Sequence, residues 1–316
     1  MHEIWAVVSR HIVLAALFFL PRSRRVAIER RLRGKEEFRK LQLADWVLIS
    51  WGKSGRTWFR VMLSRFYQLK YGLPANRLLE FDNLHRMNPE VPKVFFSHNN
   101  YIRDFLDKWD NLDQFRGKKV VLLVRDPRDV AVSQFFQWKY RMRPHKKLLN
   151  DYPLHGADIG IWDFVINPEC GVPRIVDFFN GWAKALPDLG DDLLIIRYED
   201  MRNDPAAVMR GVLDFVGTPG TPEEIDKAVE YAAYDNMKKL EEKRLFRGSG
   251  ARVRPGDKSN PNSFKVRRAK VGGYRDYFED DKVAAIDRMV AQDLDPVFGY
   301  SETPVGGRQA GDVRAS

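Results

Sequence analysis

Residues 46–58 constrain the fold of this 316-residue chain more than any other segment. A short apolar run ends in the loop Gly52-Lys53-Ser54-Gly55, and apolar side chains then recur at three- and four-residue spacing from Trp58 onward. This pattern predicts a strand, a tight loop and a helix. Backbone N–H groups and the positive end of the helix dipole would converge at the loop, where Lys53 adds a full charge. The loop therefore favours a bound phosphate or sulfate, unless it is a surface turn that only caps the helix.

The loop differs from an ATP-binding loop of the Walker A type. That pattern has a glycine five residues before the Gly-Lys pair, and Val47 stands at this position. We therefore expect an anion other than an ordinary nucleoside triphosphate.

Three further apolar segments predict strands, at residues 94–96, 120–124 and 193–196. Segments long enough for helices separate them, which is typical of βαβ crossovers and a parallel sheet. The sequence thus predicts an α/β fold in three layers, a parallel sheet flanked by helices. His98 and Arg125 follow two of these segments closely, where open α/β sheets bind their ligands.

The charge balance favours a negatively charged ligand, acceptor or surface. Lysine and arginine number 53 against 43 aspartate and glutamate residues, a formal net charge of +10. The other interpretation is a solvated basic exterior. The single cysteine, Cys170, excludes an intramolecular disulfide and a multi-cysteine metal site, so we expect a reducing compartment and a structural role for Cys170.

Residues 1–44 form a separate predicted segment that is first apolar and then basic. The run from Ile12 to Leu20 is too short to cross a bilayer, and arginines follow it where a signal peptide would show small residues. Two interpretations stay open: residues 4–25 lie in a membrane interface facing anionic lipid, or they form a helix docked on the core. Residues 22–44 alternate charged and apolar side chains, which predicts an exposed connecting helix.

Two stretches and the carboxyl terminus break the pattern of strands and helices. Residues 140–173 and 244–268 are rich in basic side chains and contain glycine and proline, and irregular loops of this length commonly serve as lids or binding loops. Residues 301–316 lack apolar periodicity, which predicts a disordered tail. One folded domain is therefore expected over residues 45–300.

Five segments resemble motifs of one enzyme family and occur in that family's order over about residues 45 to 280. The family is the sulfotransferases that use 3′-phosphoadenosine 5′-phosphosulfate (PAPS). Cytosolic-type members are most similar, because Ser97-His98 follows a strand where those enzymes carry their catalytic histidine. The segments resemble, in order, the 5′-phosphosulfate loop, the 3′-phosphate motif, the Tyr-Glu-Asp segment, the segment beside the adenine and the cofactor clamp: residues 53–58, 125–133, 197–205, 234–237 and 267–275.

The resemblance implies a P-loop nucleotide-kinase-like fold. It also implies an enzyme that transfers a sulfuryl group from PAPS to a hydroxyl or amine. Lys53 would stabilise the leaving phosphate, and His98, an imidazole suited to take a proton near neutral pH, would be the general base. No metal is expected. The residues expected to bind PAPS are Lys53, Ser54, Gly55, Arg56, Thr57, Trp58, Arg125, Ser133, Tyr198, Tyr234, Arg267, Arg268 and Ala269.

These residues divide by task. Basic and hydroxyl side chains would hold the 3′-phosphate, namely Arg125, Ser133, Arg267 and Arg268. Trp58 and Tyr234 would sandwich the adenine, and Tyr198 would donate a hydrogen bond to its edge. On their own, the aromatic residues could equally belong to the core.

Four positions depart from the family pattern. Gly52 and Arg56 replace a proline and a threonine that are usual in the loop, and Arg56 adds both charge and bulk. Phe96 stands two residues before His98, where cytosolic members often have a lysine that assists the reaction. Ala269 replaces a clamp glycine, so its methyl group could keep the backbone farther from the 3′-phosphate.

Two other functions stay open from the residues alone: a P-loop-like nucleotide kinase or ATPase, and a non-enzymatic basic protein that binds polyanions or membranes. For the enzyme, residues 71–92 and 140–173 should wall the acceptor site. Their mixed aromatic and charged side chains suit a lipid, a saccharide or another small-molecule acceptor, and we expect no nucleic-acid partner. The expected location is the cytoplasm, with membrane contact only at the surface.

Overall fold

Four parallel strands form the centre of the computed structural model, which describes residues 2–108, 112–243, 246, 256–257, 259–264 and 270–300. The strands are β1 (Trp46–Ser50), β2 (Val94–Ser97), β3 (Lys119–Val124) and β4 (Leu193–Arg197). Within the described residues the sheet has the order β2-β1-β3-β4, and each neighbouring pair is parallel. All four predicted strands are confirmed.

Helices make up most of the other described segments. The α-helices are α1 (His2–Ala16), α2 (Arg22–Leu43), α3 (Arg56–Lys70), α4 (Ile102–Leu106), α5 (Pro127–Tyr140), α6 (Pro144–Leu149), α7 (Ile161–Ile166), α8 (Val172–Ala183), α9 (Leu186–Leu189), α10 (Tyr198–Asn203), α11 (Pro205–Phe215), α12 (Pro222–Tyr231), α13 (Tyr234–Lys243) and α14 (Asp280–Asp293). Short 3₁₀ helices lie at Asp113–Phe115, Gly190–Asp192, Pro261–Ser263, Gly273–Tyr277 and Pro296–Phe298.

The sheet is buried on both faces, which explains why its strands are continuously apolar. Trp46 and Leu48 of β1 belong to a core that includes residues of α3, α11 and α12. Val47 and Ile49 of the same strand belong to a second core, with residues of α5, α8 and α14. Successive side chains of a strand point to opposite faces, so each strand supplies both cores. The predicted three-layer α/β fold is confirmed.

The helix α2 packs on this domain along one face. A Cβ atom at Gly34 would lie 2.0 Å from the carbonyl oxygen of Tyr101, so glycine permits α2 to approach the start of α4 closely. Leu41 is fully buried in the same core as Val47. The prediction of an exposed connecting helix is therefore wrong for this face, because the alternation of charged and apolar residues concealed a face that is buried.

Residues 140–173 are more regular than predicted, since they contain α6 and α7. Leu149 and Phe164 are fully buried, and the ring of Phe164 lies 5.3 Å from that of Trp138. These apolar anchors order the segment although its composition indicates a loop. Cys170 is buried as expected. Most of residues 244–268, and the predicted tail at 301–316, lie outside the described residues.

Candidate active site

The segments that follow all four strands meet at a cavity of about 1200 Å³. Lys53 follows β1, His98 follows β2, Arg125 follows β3 and Tyr198 follows β4, and all four residues line this cavity. The carboxyl ends of parallel strands lie at one edge of the sheet, so distant parts of the sequence converge there. The structure thus brings together side chains that the sequence analysis selected one motif at a time.

Residues 52–57, called the anion loop below, turn sharply between β1 and α3. Lys53 and Gly55 have left-handed backbone conformations, with φ angles of 73° and 101°. A side chain at position 55 would also collide, because a Cβ atom there would lie 2.6 Å from Cδ2 of Tyr198. Helix α3 begins immediately afterwards, at Arg56, so its first N–H groups and its positive dipole end lie at the cavity.

Two hydrogen bonds fix the tautomer of His98. Its Nδ1 atom lies 2.6 Å from the carbonyl oxygen of Ser50, which can only accept, so Nδ1 carries the proton. Its Nε2 atom lies 2.5 Å from Nη2 of Arg56, a guanidinium nitrogen that can only donate. Nε2 therefore holds the lone pair, next to the anion loop. A neutral imidazole with its lone pair at Nε2 is the form that a general base requires, although Arg56 occupies that lone pair in this structure.

Arg125 connects three parts of the site. Its guanidinium donates to the carbonyl oxygens of Lys53 at 3.3 Å and Lys270 at 3.1 Å. It also pairs with the carboxylate of Asp129 at 3.3 Å, and its Cζ atom lies 4.3 Å from the centroid of the Tyr198 ring. These contacts hold a cation beside the anion loop, which suits a second phosphate group.

Two neighbours of Arg125 form a buried ionic group behind the site. Arg128 donates to both carboxylate oxygens of Asp126, at 2.8 and 2.9 Å, and to Asp287 of α14 at 2.8 Å. The Asp126 side chain also caps α5 by accepting from the Arg128 backbone N–H at 2.9 Å. All three side chains are buried, so their role is to fix the loop after β3.

Asp129 anchors the second half of the predicted cofactor clamp, residues 267–275. Its carboxylate accepts from the backbone N–H groups of Gly272 and Tyr274, each at 2.9 Å. The chain from residue 270 onward is thereby attached beside Arg125. Three clamp residues that were predicted to bind the 3′-phosphate lie outside the described residues: Arg267, Arg268 and Ala269.

Most of the other predicted cofactor residues line the cavity: Arg56, Thr57, Trp58, Ser133 and Tyr234. The indole N–H of Trp58 donates to the carbonyl oxygen of Ala232 at 2.8 Å, which holds the ring near the start of α13. Ser54 is different, because its side chain is fully buried and does not line the cavity. Its hydroxyl has no hydrogen-bond partner among the described residues.

A further part of the cavity is lined by residues that the sequence analysis did not name individually, and we call them the helical wall: Arg33 and Glu37 of α2, Tyr101, and Lys146 of α6. Of these, only Lys146 lies in a stretch that was predicted to wall the acceptor site, residues 140–173. Glu37 Oε2 accepts from the hydroxyl of Ser97 at 3.0 Å. Withdrawal from water raises the pKa of Glu37 to about 7, although the Ser97 hydroxyl and Arg56 oppose this effect. Burial, and secondly the charge of Arg33, lower the pKa of Lys146 to about 8. Burial thus moves the pKa values of both groups towards neutral pH.

One pattern in the sequence could have identified Glu37. Gly34, Glu37 and Leu41 are spaced by three and four residues, so they lie on the same side of α2. Gly34 and Leu41 form the packed face of this helix. An acidic residue on a packed face is unusual and often functional. The alternation of charged and apolar residues along α2 conceals this signal in the sequence.

Comparison with known proteins defines the class. A family model described as the sulfotransferase domain matches residues 43–297, and the chain belongs to this family. Cytosolic sulfotransferase 17 of Arabidopsis thaliana is 26% identical over 276 residues, covering 81% of this chain and 76% of that protein. The amine sulfotransferase of Oryctolagus cuniculus is 23% identical over 268 residues, covering 79% of this chain and 80% of that protein.

A solved structure agrees with this assignment. A mouse sulfotransferase complexed with PAP has a TM-score of 0.54 and 19% sequence identity, covering 82% of this chain and 89% of that one. The likeness shows a shared fold. The family assignment confirms the predicted resemblance to sulfotransferases and excludes the alternative of a nucleotide kinase.

Two further properties concern metals and membranes. Within the described ranges, no three histidine, cysteine or acidic side chains come together as a metal site. Among the helices of those ranges, none combines the length and the apolar character needed to cross a bilayer.

Proposed function

We propose that this sulfotransferase transfers the sulfuryl group of PAPS, in line, to a hydroxyl or amine of an acceptor. The observation that carries the proposal is the position of His98 Nε2, 2.5 Å from Arg56 of the anion loop, in a cavity that Lys53 and Arg125 also line. A base and two cationic sites are then available in one place. A cosubstrate with a phosphosulfate at one end and a phosphate elsewhere fits this set of donors.

The anion loop would hold the phosphosulfate end. Lys53 would neutralise the charge that develops on the leaving 5′-phosphate, and the N–H groups at the start of α3 would donate to the same group. The left-handed Gly55, pressed on Tyr198, keeps these donors in position before the ligand arrives. PAPS supplies the activated sulfuryl group, and the chain supplies position and charge.

Arg125 and Ser133 would hold the 3′-phosphate. Asp129 and the Tyr198 ring already orient the Arg125 guanidinium, so little side-chain freedom is lost when a phosphate binds. Arg267, Arg268 and Ala269 stay predicted ligands of the same phosphate. Trp58 and Tyr234 would frame the adenine, and Tyr198 would support the loop beneath it.

His98 would accept the acceptor's proton at Nε2. The Ser50 carbonyl oxygen keeps the other ring nitrogen protonated, which leaves this lone pair available. Arg56 must first leave Nε2, and the negative charge of a phosphosulfate is a stronger partner for a guanidinium than a neutral imidazole. Arg56 would then offset charge on the transferring group. Phe96 cannot do so, because it is uncharged and stands where cytosolic members often have a lysine.

Calorimetry with adenosine 3′,5′-bisphosphate tests the cosubstrate. We expect tight binding without added metal, and much weaker binding of ATP with magnesium. Protein that is folded by circular dichroism but does not bind the bisphosphate would contradict the proposal. Transfer of label from PAPS, screened over hydroxyl and amine acceptors, tests the reaction and identifies the acceptor.

A further inference from the structure

The helix α1 turns apolar side chains to solvent. Phe18 and Phe19, directly after it, are 76% and 68% exposed, and Ile12 within it is 62% exposed. Arg10 is buried instead, and its guanidinium donates to Glu36 of α2 at 3.0 Å. A helix on a soluble domain normally packs its apolar stripe inward and exposes its charges. This segment does the reverse, which leaves an apolar surface without a covering partner among the described residues.

A basic surface continues from the apolar one. Arg22 and Arg24 begin α2 shortly after Phe19 and are exposed. Four cations along α2 are exposed at spacings of seven and four residues, which places them on one side of the helix: Arg24, Arg31, Lys35 and Arg39. This side of α2 therefore has a strong positive charge.

The acids of α2 do not neutralise that side. Each accepts a hydrogen bond elsewhere: Glu29 from Arg33, Glu36 from Arg10, and Glu37 from Ser97. The helix thus separates its charges, with carboxylates facing the protein and cations facing solvent. Separation of this kind creates a positive potential that attracts an extended negative surface.

We infer that α1 and the basic side of α2 dock on an anionic lipid bilayer. Ile12, Phe18 and Phe19 enter the interface, and the cations of α2 lie against the lipid phosphates. This combination of an apolar surface with neighbouring cations is what holds peripheral helices at membranes. A second copy of the chain is a poorer occupant, because a twofold contact through this surface brings like charges together.

The docked helices also border the cavity. His11 of α1 and Arg30, Arg33 and Glu37 of α2 line the cavity, so the helices that bind lipid also form part of its wall. The membrane contact itself does not depend on sulfuryl transfer.

Vesicle cosedimentation tests the apolar part of the surface. The wild-type protein should bind phosphatidylcholine vesicles that contain phosphatidylserine, and added salt should release it as charges are screened. The variant Phe18→Ser/Phe19→Ser should bind roughly tenfold or more weakly, since two exposed aromatic side chains no longer enter the interface. Val297→Ser, which changes an exposed apolar residue far along the chain, is the matched control and should bind like the wild type.

The basic side of α2 is tested with two triple variants that remove the same charge from different surfaces. Arg24→Gln/Arg31→Gln/Lys35→Gln should weaken vesicle binding by roughly fivefold for each cation removed. Arg116→Gln/Lys184→Gln/Arg210→Gln removes the same charge from exposed positions on other segments and should have a much smaller effect. Equal losses in the two triple variants would mean that net charge drives binding, which contradicts a specific surface.

Two measurements on one preparation separate this inference from the proposed function. Protein that binds adenosine 3′,5′-bisphosphate but no anionic vesicles overturns the inference and leaves the function standing. Protein that binds vesicles but no bisphosphate does the opposite. A dimer in light scattering that Phe18→Ser/Phe19→Ser dissociates, with no vesicle binding, would assign the surface to a second copy and also overturn the inference.

Discussion

The anion loop and the helical wall line the same cavity, but different interactions position them. The loop connects β1 to α3 directly, and its shape follows from a left-handed Gly55 packed on Tyr198. The wall is assembled from α2, the start of α4 and α6, and its side chains meet through tertiary packing such as the contact of Gly34 with Tyr101. Backbone geometry determines the first region, whereas helix docking determines the second.

The anion loop and the helical wall also differ in charge. Lys53, Arg56 and Arg125 give the loop side a concentrated positive charge, which suits a cosubstrate that carries several negative groups. The wall has a carboxyl and an ammonium group with pKa values near 7 and 8, Glu37 and Lys146. Under the proposed function, the loop side would bind the cosubstrate and the wall would face the acceptor.

The largest effect should come from the residue between these regions. His98→Ala should lower the turnover number by roughly 10²- to 10⁴-fold, because no base then takes the acceptor's proton. Affinity for adenosine 3′,5′-bisphosphate should stay nearly the same. Transfer of label from PAPS and calorimetry measure the two quantities, and His155→Ala, at an exposed position, is the control. Unchanged turnover would move the base elsewhere, with Glu37 as the next residue to test.

Arg125→Ala should show that affinity for the bisphosphate depends on the loop side of the cavity and not on the helical wall. Loss of a charged donor should weaken bisphosphate binding by roughly tenfold to a hundredfold, which calorimetry measures directly. Lys146→Ala removes a cation from the helical wall and should leave this affinity almost unchanged. Equal weakening by both substitutions would mean that the bisphosphate also contacts the wall, and the comparison between the regions would fail.

A smaller effect is expected from Gly55→Ala, which tests the loop geometry alone. The left-handed backbone and the contact with Tyr198 should together lower the free energy of unfolding by about 2 kcal/mol and weaken bisphosphate binding about tenfold. Urea denaturation and calorimetry measure these changes. Gly217→Ala is the matched control, because φ is 74° there and no atom lies within 4 Å of the added Cβ. If both variants behave alike, the packing against Tyr198 contributes little.

Glu37→Gln should give the smallest effect, and it should depend on pH. The folded pKa of about 7 lies above the ordinary glutamate pKa of 4.5, so the folded wild type binds more protons than the unfolded chain between these two pH values. Wild-type stability therefore falls as pH rises through this window, and the uncharged glutamine avoids that loss. Because Glu37 is only partly buried, we expect the variant to gain about 1 kcal/mol relative to wild type between pH 5 and pH 8.

Urea denaturation of both proteins at the two pH values measures this difference. Glu90→Gln, at an exposed position, is the control and should show the same pH dependence as the wild type. A constant difference between Glu37→Gln and the wild type would show that the Glu37 carboxyl does not titrate in this window.

The sheet and the loop side of the site could be predicted from sequence because their signals are local. Continuous apolar segments indicated the strands, and polar residues at the strand ends indicated the converging loops. The helical wall could not be predicted in the same way. Glu37 and Ser97 lie 60 positions apart, and their contact depends on which face of α2 is packed. The ordered part of residues 140–173 also depended on buried anchors such as Phe164, which composition does not reveal.

The sequence by itself determined the parallel α/β fold, the family and the convergence of Lys53, His98 and Arg125, because strand burial and loop chemistry are encoded within short segments. Only the tertiary structure decided the contact of Arg56 with His98, the exposed apolar surface of α1 and the side of α2 that lines the cavity. Each of these features depends on how separate elements pack against one another. Arg56 is the clearest example: its departure from the family pattern was visible in the sequence, but its partner was not.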